Sequence, residues 1–333
     1  MTVNPQVSIL IPVYNVSPFI ERCAHTLFCQ TFQDIEFIFV NDCTPDDSMQ
    51  KLTNVIEQYS HRKKQIKIIQ HDNNKGIGDT RNTLLDNACG KYFLCVDSDD
   101  YIEHDMIELL YNKAEKTQAD IIVCDFYLEY KNSKKMVINV VFEDMNKNQS
   151  NVISDKLYVS LSNKMINREL YDRCRRLPEG LYHDEDRYIV VQLYFLTNKI
   201  AKVDKHLYHY NKNNPTSITS QERNRKHFES MFKCWDFLSE FLSEQKASDE
   251  HKNLLNFEKV KRKASFMIST NSYSLRKEFA LKWRNEEIKF LPKLKRGKLI
   301  MTLLVYYKMF FLAQVYHYGV KLINRSKVFF FQD

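Results

Sequence analysis

Asp97-Ser98-Asp99-Asp100 follows directly on the apolar run Tyr92-Phe93-Leu94-Cys95-Val96. Three carboxylates at the mouth of a buried strand repel one another unless a cation lies among them. Hard oxygen ligands suit Mg2+ or Mn2+, and Mg2+ commonly takes one or two carboxylates together with substrate phosphates. Asp97 and Asp99, two residues apart on extended chain, point the same way. Acid-rich turns also start helices, so the four residues alone do not choose between metal and cap.

Four other segments carry polar groups that could meet a ligand. Asp42 ends the apolar run Phe39-Val40-Asn41 and could accept a hydrogen bond from a base imide or cap the helix after it. Asn74-Lys75-Gly76-Ile77-Gly78-Asp79-Thr80-Arg81-Asn82 has glycines that let backbone approach a ligand and an arginine suited to phosphate. Its glycine order does not fit a P-loop, and a plain turn is the alternative. Leu181-Tyr182-His183-Asp184-Glu185-Asp186 concentrates acid, and a carboxylate there could deprotonate a hydroxyl if burial or a like charge raised its pKa. Tyr208-His209-Tyr210-Asn211-Lys212, with Ser217-Ile218-Thr219, reads as a lid offering His209, Lys212 and Ser217 to a diphosphate, or as a loop with its tyrosines packed inward.

The elements that must position these groups alternate strand and helix. Val7 to Pro12, Ile35 to Val40, Ile66 to Gln70, Tyr92 to Val96 and Ile121 to Phe126 are short β-branched or aromatic runs. Between them the spacing predicts helices opening at Ser17-Pro18 and at Thr44-Pro45-Asp46-Asp47, then over 78–88 and 105–119. Such alternation implies an α/β fold with a mostly parallel sheet covered on both faces, whose ligands bind beyond the carboxyl ends of the strands. Pro12-Val13-Tyr14-Asn15, Asp42, Asp97 and Asp99 all fall there. From Gln221 onward the pattern is helical, with Met231, Cys234, Trp235, Leu238 and Leu242 on one stripe. Two regions are expected, 1–220 and 221–333.

In this order the pieces resemble family-2 glycosyltransferases of the Rossmann-like GT-A fold, over roughly residues 5–220. Val7 to Asn15 is similar to the family's opening strand. Val40-Asn41-Asp42 resembles its base-reading segment, with Cys43-Thr44 where Gly-Ser is usual. Asn74 to Asn82 resembles the Asn-x-Gly…Ala-Arg-Asn turn, with Thr80 in place of the small residue. Asp97-Ser98-Asp99 matches the Asp-x-Asp motif, Asn163 to Arg168 a recurrent acceptor-half segment, Glu185-Asp186 the pair holding the base, and Tyr210 to Thr219 the Tyr-Arg…Ser-Ile-Thr lid, with Asn211 or Lys212 where arginine is usual.

The resemblance implies an inverting single displacement from a nucleotide diphosphate sugar, a UDP-sugar first, to a hydroxyl of a glycan or lipid-linked acceptor, in bacterial surface polysaccharide synthesis. Asp99 would bind Mg2+ or Mn2+, with Asp97 on the ribose or the metal. Pro12, Val13, Tyr14, Asn15 and Asp42 would form the base pocket. Asn74, Gly76, Arg81, Ser98, Lys212 and Ser217 would line the rest of the donor site. Asp186 is the expected base, with Glu185 as alternate.

Bulk properties narrow the setting. The 333 residues carry 49 Lys and Arg against 42 Asp and Glu, a net charge of +7 whose excess sits in the C-terminal third. Eight scattered cysteines with no Cys-x-x-Cys pair argue against zinc and for a reducing compartment. The N-terminus lacks the basic and apolar pattern of a secretion signal, so the expected location is cytoplasmic. Leu299 to Val315, interrupted by Lys308, falls short of the ~20 apolar residues a spanning helix needs. With Lys293, Lys295, Arg296 and Lys298 before it, this segment suits an anionic membrane, which would put the chain on the inner face of the plasma membrane. A packed helix pair or a homo-oligomer contact is the alternative. A sugar-nucleotide pyrophosphorylase would need a glycine- and base-rich loop that Ile9 to Asn15 lacks. A non-catalytic sugar-nucleotide-binding module is disfavoured by Asp97, Asp99, Glu185 and Asp186, and nucleic acid is not an expected partner.

Overall fold

The computed structural model describes residues 4–217 and 224–329, without the side chains of Glu286 and residues 321–329. The chain divides into two compact units, Met1–Ser220 and Gln221–Asp333.

The first unit is built on a nine-stranded sheet. It opens with β1 (Val7–Val13), α1 (Ile20–Phe28), β2 (Ile35–Asn41), α2 (Ser48–Gln58), β3 (Ile66–Gln70), α3 (Ile77–Asp86) and β4 (Tyr92–Cys95). The strands β3-β2-β1-β4 lie parallel in that order, Val7 to Val13 facing Ile35 to Asn41 without a break. Every residue of β1 is buried, as a strand covered on both faces requires. Its inner side chains pack with Cys23 and Leu27 of α1 and Leu52 of α2.

The second half is mixed. After β5 (Tyr101–Ile102), α4 (Met106–Thr117), β6 (Ile121–Tyr130), β7 (Ser133–Val137), α5 (Met145–Ile153), β8 (Lys164–Asn167), α6 (Arg168–Tyr171), α7 (Glu185–Leu196) and β9 (Ile200–Asn211), the sheet continues β4-β8-β6-β9-β5, with β7 on β6. Only β6–β9 is parallel there; β4–β8, β6–β8, β6–β7 and β5–β9 are antiparallel. The expected parallel sheet therefore holds for the N-terminal strands, while β8 enters between β4 and β6 in the opposite sense. The β6–β9 ladder is irregular: Cys124 pairs with Val203, Asp125 with His206 and Phe126 with Tyr208, so β9 advances from 203 to 208 while β6 advances from 124 to 126.

Two helix starts differ from expectation. α1 begins at Ile20, and Pro18 lies in the preceding turn. α2 begins at Ser48, with no side-chain cap from Asp47. Asp46 takes over instead, accepting from the Ser17 amide (2.8 Å), the Thr44 hydroxyl (2.7 Å) and the Ser48 hydroxyl (2.5 Å). These bonds tie the β1–α1 turn to the β2–α2 turn and push the Asp46 carboxyl pKa below its ordinary range, against the effect of burial.

The second unit contains α8 (Arg225–Glu244), α9 (Asp249–Ser269), α10 (Tyr273–Phe279), α11 (Arg284–Phe290), α12 (Arg296–Tyr306) and α13 (Phe310–Phe329). The Met231, Cys234, Trp235, Leu238 and Leu242 stripe of α8 is buried as expected. Among the described residues no helix is long and apolar enough to cross a membrane.

Candidate active site

The carboxyl ends of β1, β2 and β4 lie side by side, which brings Pro12 to Asn15, Asp42 and Asp97 to Asp99 to one edge of the sheet. The Ser98 hydroxyl donates to the Pro12 carbonyl (2.6 Å), and the Asp42 amide donates to the Val13 carbonyl (3.0 Å). Asn15 takes a left-handed φ of 55° and its amide donates to the Thr44 hydroxyl (2.8 Å). Tyr14, half-exposed at this corner, is free to lie against a flat ligand.

Asp42 does not present the free carboxylate that base reading implied. It is 3 % exposed. One oxygen accepts from His71 Nδ1 (2.7 Å) and the Lys75 amide (2.8 Å), the other from the Gly76 amide (2.9 Å). Two backbone N–H groups need an acceptor where the chain turns, and Asp42 supplies it. Its work is to shape the Asn74–Gly76 loop, in which Gly76 stands at φ 87°, a region where side chains are strained. Asn74 remains exposed beside it.

The three aspartates after β4 diverge. Asp97 accepts from Arg81 Nη2 (3.2 Å). Asp99 accepts from Asn214 Nδ2 (2.8 Å), and its carbonyl accepts from Asn211 Nδ2 (3.1 Å). Asp100 is fully buried and accepts from the Tyr208 hydroxyl (2.5 Å) and the Asn211 amide (2.8 Å), so it anchors β9 instead of facing a ligand. Burial raises the pKa of all three, Asp100 most strongly, and the neighbouring carboxylates raise Asp97 and Asp100 further. A divalent cation would relieve that strain. Among the described residues no three His, Cys, Asp or Glu side chains form a ready ligand set, so an ion held by Asp97 and Asp99 would need substrate oxygens to complete its shell.

Glu185 and Asp186 open α7 behind Asp184, which holds a left-handed φ of 65°. They meet the first cluster through Arg81, which is 3 % exposed. Its Nη2 lies 3.1 Å from Asp186, and its Nε lies 3.6 Å from Glu185. In place of the phosphate that was expected, this guanidinium faces Asp97, Glu185 and Asp186 here. Arg81 Nε, Arg81 Nη1 and Asp186 Oδ1 are buried without a hydrogen-bond partner, so the cluster is held by charge more than by aligned bonds. Burial pushes the Glu185 carboxyl up to about 8, helped by Asp186 and opposed by Arg81. Burial also raises Asp186, with Arg81 opposing.

Two supports explain why α3 and α7 meet. A Cβ on Gly78 would come 2.4 Å from the Leu181 carbonyl, so only glycine lets α3 lie against the segment leading to Glu185. Lys164, 1 % exposed, donates to the Tyr158 carbonyl (2.8 Å), the Ser160 carbonyl (2.7 Å) and Asn163 Oδ1 (2.8 Å). It thereby fixes the loop whose Leu161 amide donates to Asp186 Oδ2 (3.3 Å), while burial lowers its own pKa to about 7.

The lid divides. His209 is buried, stacked on Tyr101 (4.2 Å) and near Tyr127 (4.9 Å), with its nitrogens on Glu129 and Glu103 (2.8 Å each), so it is not offered to a diphosphate. Lys212 lies beside the Tyr210 ring (4.0 Å) with its side chain still open to solvent; partial desolvation of its ammonium lowers the pKa, and Asp100 and Asp99 oppose. The Ser217 amide donates to the Asn214 carbonyl (3.4 Å), while Ile218 and Thr219 lie outside the described residues. Tyr208, Asn214 and Lys164 were given no role of their own from sequence, and Asn211 only a place where the lid arginine is usual. The Asn-rich stretch at 211–216 was the available signal for two of them.

The model of glycosyl transferase family 2 matches residues 8–175. The chain is 34 % identical over 223 residues to the uncharacterized glycosyltransferase EpsJ of Bacillus subtilis, covering 65 % of this chain and 63 % of that one. It is 32 % identical over 223 residues to glycosyltransferase GlyA of Streptococcus pneumoniae, covering 63 % of this chain and 31 % of that one. The matched stretch thus spans less than two thirds of either relative. Among solved structures, residues 1–349 of S. aureus TarS in complex with UDP-GlcNAc superimpose with a TM-score of 0.65, at 22 % identity over 95 % of this chain and 92 % of that one. That likeness establishes the GT-A fold. A model matching half the chain, laid over the β1, β2 and β4 edge just described, makes the conclusion plain: the chain belongs to glycosyl transferase family 2.

Proposed function

We propose that the chain transfers a sugar, with inversion, from a UDP-sugar to a hydroxyl of a glycan or lipid-linked acceptor, in building a bacterial surface polysaccharide. The observation that carries this reading is the convergence of Asp97 and Asp186 on Arg81. The TarS structures with UDP and UDP-GlcNAc support the choice of nucleotide. Relatives named as poly(ribitol-phosphate) β-glucosyltransferase and β-N-acetylglucosaminyltransferase support a surface-polymer acceptor. The cytoplasm is the proposed location.

Tyr14, Pro12, Val13 and Asn15, with the loop shaped by Asp42, hold the base and ribose. Asp99 and Asp97 would hold Mg2+ or Mn2+, which would supply positive charge to offset that of the donor diphosphate. Lys212 and Ser217 reach toward that diphosphate from the lid. Asp186 takes the proton of the acceptor hydroxyl as its oxygen forms a bond to the anomeric carbon and the bond from that carbon to the diphosphate breaks. A pKa raised by burial and checked by Arg81 suits a group that must gain a proton near neutral pH. Glu185, next to it at the start of α7, is the alternate base.

Incubation with UDP-sugars and Mn2+, followed by NMR assignment of the new linkage, tests the reading. An inverted anomeric centre supports it, and a retained one overturns it. Failure to hydrolyse or transfer any nucleotide sugar would favour a binding module.

A further inference from the structure

Helix α13 carries its apolar surface on the wrong side for a helix that only packs against its own protein. Its inward positions are small or polar: Ala313 and His317 are buried, and His317 bonds to the Ile268 carbonyl (2.6 Å) and Asn271 Oδ1 (2.9 Å). Its outward arc presents Phe311 at 73 % exposure, with Val315 and Tyr318 each at 53 %. These three recur at i, i+4 and i+7, one stripe of an α-helix. Leu312, and Met309 in the turn before the helix, widen the exposed apolar area. A contiguous exposed surface of this kind marks a contact with another apolar phase.

The charge around it says which phase. Residues 288–332 hold nine Lys and Arg and no Asp or Glu. Lys308 is exposed at the turn before α13. The Tyr316 hydroxyl donates to the Gly297 carbonyl (3.3 Å), so the start of α12, with exposed Lys295 and Arg296, lies alongside the middle of α13. Cations thus precede the stripe at Lys308 and flank the helix at the start of α12. A second copy meeting this face about a two-fold axis would bring like charges together. An anionic lipid surface neutralises them and accepts the apolar side chains below its headgroups.

We propose that the outward face of α13, with Lys308 before it and the basic start of α12 on its flank, is a docking surface for an anionic membrane, on which the helix lies in the plane of the interface. This is independent of the glycosyl-transfer reading. It places the enzyme where a lipid-linked acceptor would be found.

The test is flotation of the full chain with phosphatidylcholine vesicles containing phosphatidylglycerol, against vesicles of phosphatidylcholine alone. Recovery with the anionic vesicles is expected, weakened by added salt. Replacing Phe311, Val315 and Tyr318 together by serine should lower partitioning roughly tenfold or more, with the circular dichroism spectrum unchanged. Should that variant not fold, Phe311→Trp decides: a blue-shifted emission on adding anionic vesicles supports the proposal, and an unshifted one overturns it. Equal recovery from neutral and anionic vesicles also overturns it. So does a wild-type dimer that ignores vesicles and is dissociated by the serine variant, because the face then belongs to a second copy.

Discussion

Asp97 and Asp186 share one cation: Arg81 Nη2 lies 3.2 Å from the first and 3.1 Å from the second. The first acid follows β4 and the second opens α7, so the contact joins the two halves of the sheet's ligand-binding edge.

Asp186→Asn keeps the shape of the side chain and removes its ability to take a proton. Turnover is expected to fall by about 10²–10⁴-fold, the usual contribution of a general base. Nucleotide binding, measured by calorimetric titration, should stay near that of the native protein. An equal loss of binding would move Asp186 from proton transfer to donor recognition.

Arg81→Met leaves Asp97, Glu185 and Asp186 facing one another without their counter-charge. Removing one partner of a buried pair costs about 3–5 kcal/mol, and the lower end applies because the carboxylates keep some contact with water. Urea denaturation should show the loss growing from pH 6 to pH 8, as the acids ionise. A midpoint unchanged at both values would mean that the carboxylates neutralise themselves by holding protons.

Glu185 and Lys164 give stability opposite slopes with pH. The folded protein holds the Glu185 proton up to about pH 8, whereas the unfolded chain releases it near 4.5, so this group's contribution declines between those values. Lys164 loses its proton near pH 7 when folded and near 10.5 when unfolded, so its contribution rises over that range. Glu185→Gln should flatten the first limb and Lys164→Met the second, read as denaturation midpoints across pH. Unaltered slopes would show that the surrounding structure relaxes enough to hydrate both groups.

Gly78→Ala inserts a methyl group against the backbone carbonyl of Leu181, which cannot swing aside as a side chain could. A lower Tm is expected, with a larger loss of turnover than of nucleotide binding, because the Arg81 helix and the Glu185 segment would part. Full activity in this variant would show that their contact is dispensable.

The sheet-edge positions of Pro12, Asp42 and Asp97 were legible because strand ends follow from local apolar runs and punctuation. Contacts between distant segments were not. Nothing near Arg81 in sequence reveals that it meets the carboxylates of α7. Asp42 looked free because the Lys75 and Gly76 amides return to it only after β3 is laid down. What holds Asp100 was hidden, because Tyr208 comes to it from the far end of the unit. The antiparallel entry of β8 was hidden as well, since four residues carry too little periodicity to declare a direction.

The uneven β6–β9 ladder has a consequence for engineering. Between Val203 and Tyr208 one strand takes three residues more than its partner, an odd surplus that turns the Tyr208 ring to the side occupied by Phe126. Chimeras joined ahead of 203 leave this phase correction intact. A single residue inserted after 208 would rotate Asn211 and Asn214 away from the aspartates together, so the stretch from 203 to 214 should be exchanged between relatives only as one cassette.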